Sequence, residues 1–242
     1  MEYIVEAQGL RKTYGAVQAL RGVSLRVQRG EVVGVLGANG AGKSTLIECI
    51  LGVRKPDAGE IRLLGMHPER ERKRLFAQVG VQFQQSAVQE RIRVGELCQM
   101  TAALYPQTTP AAPLLAQFGL AGKLRQQVSD LSGGERQKLF IVLALLPMPQ
   151  LVFLDELTTG LDARARRDVW QCLKQQKAQG LTIVLTSHFM DEVEALCDRV
   201  LILRHGQTHF EGTVQQAVAA TPHQRLEDAY LWLTDDERED NA

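Results

Sequence analysis

Apolar and polar positions alternate through the first thirty residues, in YIVEAQGL (residues 3–10) and VSLRV (residues 23–27), with Gly15, Gly22 and Gly30 as punctuation. A period of two sends successive side chains to opposite faces, so this segment predicts half-buried antiparallel strands. EVVGVLG, residues 31–37, predicts a short β-branched strand running into a glycine-rich turn, and a helix through Leu46, Ile47 and Ile50 follows. From about Val94 to Leu146 the chain turns alanine-, leucine- and glutamine-rich and is broken by Pro106, Pro110 and Pro113, which predicts a helical insertion. Three runs then carry no polar face: LVFL (151–154), TIVLT (182–186) and VLIL (200–203). Strands apolar on both faces are expected where helices cover both sides of a parallel sheet. Predicted helices over 163–179 and 190–199 separate them, so the predicted class is α/β with a helical inset. Near the end, LEDAYLWL (226–233) predicts an amphipathic helix docked on the core, and the acidic TDDEREDNA after it a solvated, frayed end.

Composition narrows the function classes. A length of 242 residues suits one large domain, or a core with a smaller inserted subdomain. With 28 basic and 28 acidic residues the formal charge is zero, and no lysine-rich arm offers a surface for nucleic acid. Cys49, Cys98, Cys172 and Cys197 form no CxxC pair, which reads as buried free thiols in a reducing cytoplasm. The longest apolar stretch, Leu139 to Leu146, is closed by Pro147 and falls short of the roughly 20 residues that span a bilayer. The first residues lack the basic start and apolar run of a secretory signal. His205 and His209 flank Gly206 at a predicted strand end and do not read as a shared metal site, while RERKRLF (70–76) reads as a solvated helix face.

Two segments carry chemistry. GANGAGKST, Gly37 to Thr45, fits G-x-x-x-x-G-K-[ST] between a predicted strand and a predicted helix. Backbone amides of such a loop converge on an anion, its glycines let phosphate approach, and the helix start adds partial positive charge. Gly37, Asn39, Gly40, Ala41, Gly42, Lys43, Ser44 and Thr45 are therefore the candidate nucleotide-binding residues. Lys43 reaches the β- and γ-phosphates, and the Ser44 hydroxyl suits Mg²⁺. Asp155 and Glu156 follow the buried LVFL run, at the strand edge where open α/β sheets bind ligands. One carboxylate, Asp155, suits the metal; the second, Glu156, suits orienting or deprotonating the attacking water. These are the parts of a P-loop NTPase.

LSGGERQKL, Leu131 to Leu139, lies about twenty residues before that acidic strand end. With the phosphate loop and LVFLDE, in that order, the chain resembles the ATPase subunit of ATP-binding-cassette (ABC) proteins. The resemblance implies a P-loop NTPase (RecA-like) core with an N-terminal antiparallel β subdomain and an inserted α-helical signature subdomain. It implies one ABC ATPase domain over residues 1–242, with its core in 1–93 and 147–212, the helical subdomain in 94–146 and a tail in 213–242. ATP and Mg²⁺ are the expected cofactors. Tyr14 resembles the aromatic that stacks on adenine, Gln84 the glutamine that senses the γ-phosphate, assists the metal and contacts a transmembrane partner, and His188 the histidine on the γ-phosphate. Read alone, Tyr14 is a strand aromatic and His188 a core histidine. Lys43, Gln84, Glu156 and His188 are thus the expected catalytic set, and Ser44, Gln84 and Asp155 the expected metal set.

The family pairs two subunits head to tail. Ser132, Gly133 and Gly134 of one then close over the ATP of the other, and Asp162 faces the second subunit. The expected partners are a second ATPase subunit, identical or a close paralogue, and a transmembrane permease, without nucleic acid. The expected location is cytoplasmic, peripheral on the inner face of the cell membrane through that permease. A soluble ABC ATPase of DNA repair or translation is the alternative; it is opposed by the single cassette and by the lack of coiled-coil heptads or zinc modules. SHFMDEVEALCDRVLILRHGQ (187–207) and LEDAYLWL are similar to the drug, lipid or polysaccharide exporter branch. Two positions depart from the family pattern: Leu157 stands where proline is usual, and Glu135 where glutamine is commoner.

Overall fold

The computed structural model describes residues 2–83, 89 and 91–235. Gln84 and the acidic end beyond Asp235 lie outside the described residues. Along the chain run β1 (Tyr3–Tyr14), β2 (Val17–Gln28), β3 (Val32–Leu36), α1 (Lys43–Ile50), β4 (Ala58–Leu63), α2 (Arg72–Phe76) and β5 (Val79–Gln82). The helices α3 (Val94–Ala102), α4 (Ala111–Gln117) and α5 (Gly133–Leu145) follow, then β6 (Leu151–Leu154), α6 (Ala163–Ala178) and β7 (Thr182–Thr186). The last elements are α7 (Met190–Leu196), β8 (Arg199–Arg204), β9 (Gln207–Thr213), α8 (Val214–Ala219) and α9 (Leu226–Thr234). Two compact units emerge, Met1–Arg72 with Thr186–Ala242, and Lys73–Leu185.

In the first unit β1 lies between β2 and β4, antiparallel to both. The predicted alternation holds in β2, where Val23, Leu25 and Val27 are buried. It fails at the start of β1, where neighbours Ile4 and Val5 are both buried. The pairing with β2 slips between Tyr3 and Val5, and such an irregularity rotates successive side chains off strict alternation. The wholly buried β3 pairs in parallel with β8, which pairs antiparallel with β9. Leu36, Val200 and Ile202 from these strands share a core with Val193 of α7, Ala217 of α8, and Leu226 and Leu233 of α9. The amphipathic end helix therefore docks as its pattern predicts, and the Leu226 N–H donates to the Glu194 carboxylate at 3.2 Å.

The helix predicted over 190–199 stops at Leu196, because Arg199 already belongs to β8. Asp198 enforces the switch. Its carboxylate accepts from the Val32 N–H at 2.8 Å while its own N–H donates to the Val32 carbonyl at 2.8 Å, which ties the chain to the start of β3. The basic segment 70–76 is helical only from Arg72, and it is not solvated throughout, since Leu75 is fully buried.

In the second unit β5, β6 and β7 form parallel pairs, with Val81 opposite Phe153 and Phe153 opposite Val184. LVFL and TIVLT are buried throughout, as expected for strands covered on both faces. A Cβ on Gly80 would lie 2.0 Å from the Ala144 carbonyl oxygen, so the glycine lets the backbone of α5 approach β5 directly. The three prolines punctuate the helical stretch. Pro106 lies between α3 and α4, Pro110 caps α4, and Pro113 falls in its first turn, where the missing N–H breaks no helix bond. None of the four cysteines forms a disulfide; Cys49, Cys98 and Cys172 are buried, whereas Cys197 is partly exposed rather than buried. Burial pushes the Cys49 and Cys98 thiols up to about 11, so both stay protonated and inert at neutral pH.

Candidate functional site

The buried β3 delivers the chain into the phosphate-loop sequence, where Gly37, Gly40 and Gly42 have φ of 150°, 81° and 105°. Two of these glycines are also demanded by contact. A Cβ on Gly37 would stand 2.5 Å from the Leu203 carbonyl oxygen, and one on Gly42 2.5 Å from that of Ala19. The turn between β8 and β9 braces the loop, the Gly206 N–H donating to the Ala41 carbonyl at 3.1 Å. Lys43 opens α1 and is only 8% exposed. Its ammonium donates to the carbonyls of Gly37 at 2.7 Å and Ala38 at 3.1 Å, which keeps the cation on the loop itself. No acidic residue sits in the first turn of α1, so the partial positive charge of that end is uncancelled. Ser44 is exposed and Thr45 partly so.

Tyr14 ends β1 and is 38% exposed. The Lys12 ammonium lies 5.7 Å and the Arg54 guanidinium 5.4 Å from its ring centroid, within cation–π range. Each cation is itself tied down, Lys12 to Asp57 at 2.8 Å and Arg54 to Glu48 at 2.6 Å. The Asp57 carboxylate also accepts from the Thr13 N–H at 2.7 Å, and these two donors hold its carboxyl below the usual range. Exposed ion pairs of this kind contribute little stability. Their effect is orientation: Glu48 lies on α1, so the ring is linked to the helix that carries Lys43 and Ser44.

At the end of β6 the Asp155 N–H donates to the Gln82 carbonyl at 3.0 Å. Glu156 then takes φ of 51°, the left-handed region that side chains rarely occupy. Leu157 is fully buried, which accounts for an apolar side chain at that position. The Gln137 side-chain amide donates to the carbonyls of Glu156 at 3.2 Å and Leu157 at 2.8 Å. Ser132 is the N-cap of α5; its hydroxyl accepts from the Glu135 N–H at 3.1 Å while the Glu135 carboxylate accepts from the Ser132 N–H at 2.9 Å. The departure at 135 thus closes a capping box. Lys123 pairs with the same carboxylate at 2.9 Å, and with the Ser132 N–H it holds Glu135 below the usual range.

The two signature glycines differ. A Cβ on Gly134 would meet the Leu161 side chain at 2.9 Å, whereas one on Gly133 would meet nothing within 4 Å among the described residues beyond its own helix and chain neighbours. Asp162 caps α6, its carboxylate accepting from the Ala165 N–H at 2.8 Å, and that bond holds its carboxyl below the usual range. His188 is exposed rather than a core histidine, between the buried Ser187 and the start of α7. The Ser187 hydroxyl accepts from the Phe189 N–H at 3.0 Å and shapes this turn.

The first unit therefore gathers the phosphate-loop residues and Tyr14 around α1, and the second gathers Asp155, Glu156 and the signature residues around β6 and α5. Gln137, Lys12, Arg54 and Asp57 are the additions that sequence reasoning missed. Gln137 stood inside the signature string; the other three lie too far apart in sequence to announce a cluster.

Residues 20–159 match the ABC transporter family. The chain is 39% identical over 215 residues to Nod factor export ATP-binding protein I of Rhizobium sp. (strain N33), covering 86% of this chain and 70% of that protein. It is 35% identical over 228 residues to daunorubicin resistance ATP-binding protein DrrA3 of Streptomyces coeruleorubidus, covering 92% and 72%. Among solved structures, the ATP-binding subunit of an ABC transporter superposes with a TM-score of 0.87 at 30% identity, over 95% of this chain and 99% of that one. A glycine-rich loop between a buried strand and a helix, a capped signature helix and these likenesses agree: the chain belongs to the ABC transporter family, as an ATP-binding subunit that hydrolyses ATP to power transport.

Proposed function

We propose that this subunit drives export through a separate transmembrane permease, as one of two ATPase subunits that share their ATP sites. The Gly37–Thr45 loop binds the phosphates, Tyr14 stacks on adenine, and Glu156 takes the proton of the attacking water. Gln84 and His188 attend the γ-phosphate, and Ser132–Gly134 of the second subunit close the site. Hard oxygen donors suit Mg²⁺, and this chain offers the Ser44 hydroxyl and the Asp155 carboxylate, with Gln84 as a further oxygen. When bound, the ion neutralises charge on the phosphates. Everything else falls to the chain's own residues.

The observation that carries the shared site is the open Gly133. Among the described residues, nothing beyond its chain neighbours and its own helix backbone comes within 4 Å of a Cβ placed there, so packing among them does not require the glycine. It lies in the first turn of a capped helix, whose amides suit an anion. A second subunit's γ-phosphate is the group that needs the space. Gly133→Ala should therefore leave thermal stability equal or raised by about 0.4–1 kcal/mol, through the less flexible unfolded chain. ATP turnover should nonetheless fall about 10- to 100-fold, because the closing surface is displaced. A melting curve and a steady-state phosphate assay on one preparation check it; undiminished turnover removes position 133 from the closure.

Export, and a membrane position gained through a permease on the cytoplasmic side, rest on the relatives named for Nod factor export and daunorubicin resistance. No helix among the described residues is long and apolar enough to cross a membrane. A groove of about 700 Å³ between α2 and the end of α3 supports the partner reading, lined by Lys73, Arg74 and Phe76 on one side and Leu104 and Tyr105 on the other. Leu104 is 81% exposed, an apolar side chain in a groove that also carries two cations. Leu104→Glu should leave the ATPase of the isolated subunit within about twofold of wild type, as surface substitutions usually do. Recovery of the subunit with membranes from cells that coexpress the permease should fall. Full recovery would move the docking surface elsewhere.

A further inference from the structure

Gln137 lies one turn inside α5, four residues after Gly133 and three after Gly134, spacings that put all three on one helix face. Its amide turns away from helical bonding, and both contacts go to the backbone of the turn after β6, at 3.2 Å to the Glu156 carbonyl and 2.8 Å to the Leu157 carbonyl. That turn contains Glu156 at φ of 51°. A side chain of this size stays in the left-handed region only where its surroundings over-determine it.

Three restraints meet there. Upstream, the Asp155 N–H is bonded to the Gln82 carbonyl on β5 at 3.0 Å. Downstream, Leu157 is fully buried. Gln137 supplies the third. The carbonyl of Glu156 belongs to the peptide plane that leaves that residue, so fixing the carbonyl fixes rotation about the Glu156 Cα–C bond. The second contact fixes the next plane and prevents the first from turning alone. The α5 helix is itself steadied on β5, where Gly80 admits the Ala144 backbone.

We propose that Gln137 is a positioning residue for Glu156: its side-chain amide locks the turn after β6 in its left-handed form and so sets the direction in which the carboxylate projects. This rests on reading Glu156 as the group that accepts the proton from water. Gln137 touches neither nucleotide nor water in this role; it acts through the backbone of the residue that does.

Gln137→Leu keeps the volume and removes the donor. Its kcat should fall about 100-fold, the size of effect expected from a small misplacement of a reacting group. KM and the Kd for Mg-ATP should stay within about twofold, because the phosphate-loop contacts do not pass through this amide. Gln137→His, which keeps one N–H at similar reach, should recover part of the lost kcat. In single-turnover hydrolysis, the Leu substitution should cost almost nothing further when added to Glu156→Gln, since residues that act as a unit are non-additive. Normal turnover in Gln137→Leu overturns the proposal, as does a loss that multiplies fully with that of Glu156→Gln or a loss shared equally by the Leu and His variants. If Glu156→Gln alone hydrolyses ATP at the wild-type rate, the reading of Glu156 fails and the proposal falls with it, an outcome distinct from the first three.

Discussion

Glu156→Gln should slow ATP hydrolysis between about 100- and 10,000-fold, the span that a positioned general base contributes, while leaving Mg-ATP binding in place. The amide has the shape of the carboxylate but takes no proton from water. The Gln137 bonds to the turn are untouched, because they go to the backbone carbonyls of Glu156 and Leu157 rather than to the substituted side chain. The lesion should therefore appear in kcat and not in melting temperature. With hydrolysis stalled, the ATP that bridges two subunits should persist, and the variant should run as a dimer on gel filtration with Mg-ATP and as a monomer without it. Unchanged turnover would take Glu156 out of this role; slow turnover without ATP-dependent dimerisation would argue against a shared site.

The second large effect is complementation between inactive subunits. Lys43→Ala removes the ammonium from the phosphate loop and should weaken Mg-ATP binding at least about tenfold, since a charged hydrogen-bonding partner is lost. Gly133→Arg puts a bulky cation at the signature end. It is a cleaner lesion there than a change at Ser132, whose hydroxyl caps α5 and whose loss would cost about 1 kcal/mol. An arginine at 133 starts into open space and should fold normally. Each homodimer would hold two damaged sites. A mixed dimer collects both lesions in one site and leaves the other whole, so mixing equal amounts of the two inactive proteins, with half the dimers mixed, should restore ATPase activity toward about a quarter of the wild-type value. Mixed dimers that form, trap one ATP and stay inactive would indicate coupled sites. Trapping by monomeric Gly133→Arg would rule out the sandwich.

Much of the fold could be read from side-chain periodicity, and the misses have physical causes. VSLRV alternates because one face of β2 is buried, and LVFL and TIVLT lack a polar face because they are buried throughout. By contrast QTHFEGT shows no apolar face, yet it forms β9 by pairing with β8, where backbone bonds decide and burial is slight. The helix predicted to 199 ran three residues too far because the bonds of Asp198 to Val32 join positions 166 apart, and no local pattern encodes them. The phosphate loop and signature string were legible because chemistry restricts residue type at fixed spacing. The supports around them were not. Lys12, Arg54 and Asp57 meet only after β1 and β4 pair, and Gln137 reaches the Glu156 turn from 19 positions away.

The left-handed backbone at Glu156 also sets stability and activity against each other at one codon. Holding a glutamate at φ of 51° costs roughly 1–2 kcal/mol relative to a residue at ease there, and glycine is that residue. Selection for thermal tolerance alone therefore has a favourable step available at position 156, and the step deletes the carboxylate. In a library recovered only for heat resistance, glycine should accumulate at 156; in one recovered for transport, glutamate should persist despite its cost. Consensus-guided or stability-guided redesign of this subunit would need to exempt that position by hand, since the free-energy gain and the loss of turnover come from the same substitution.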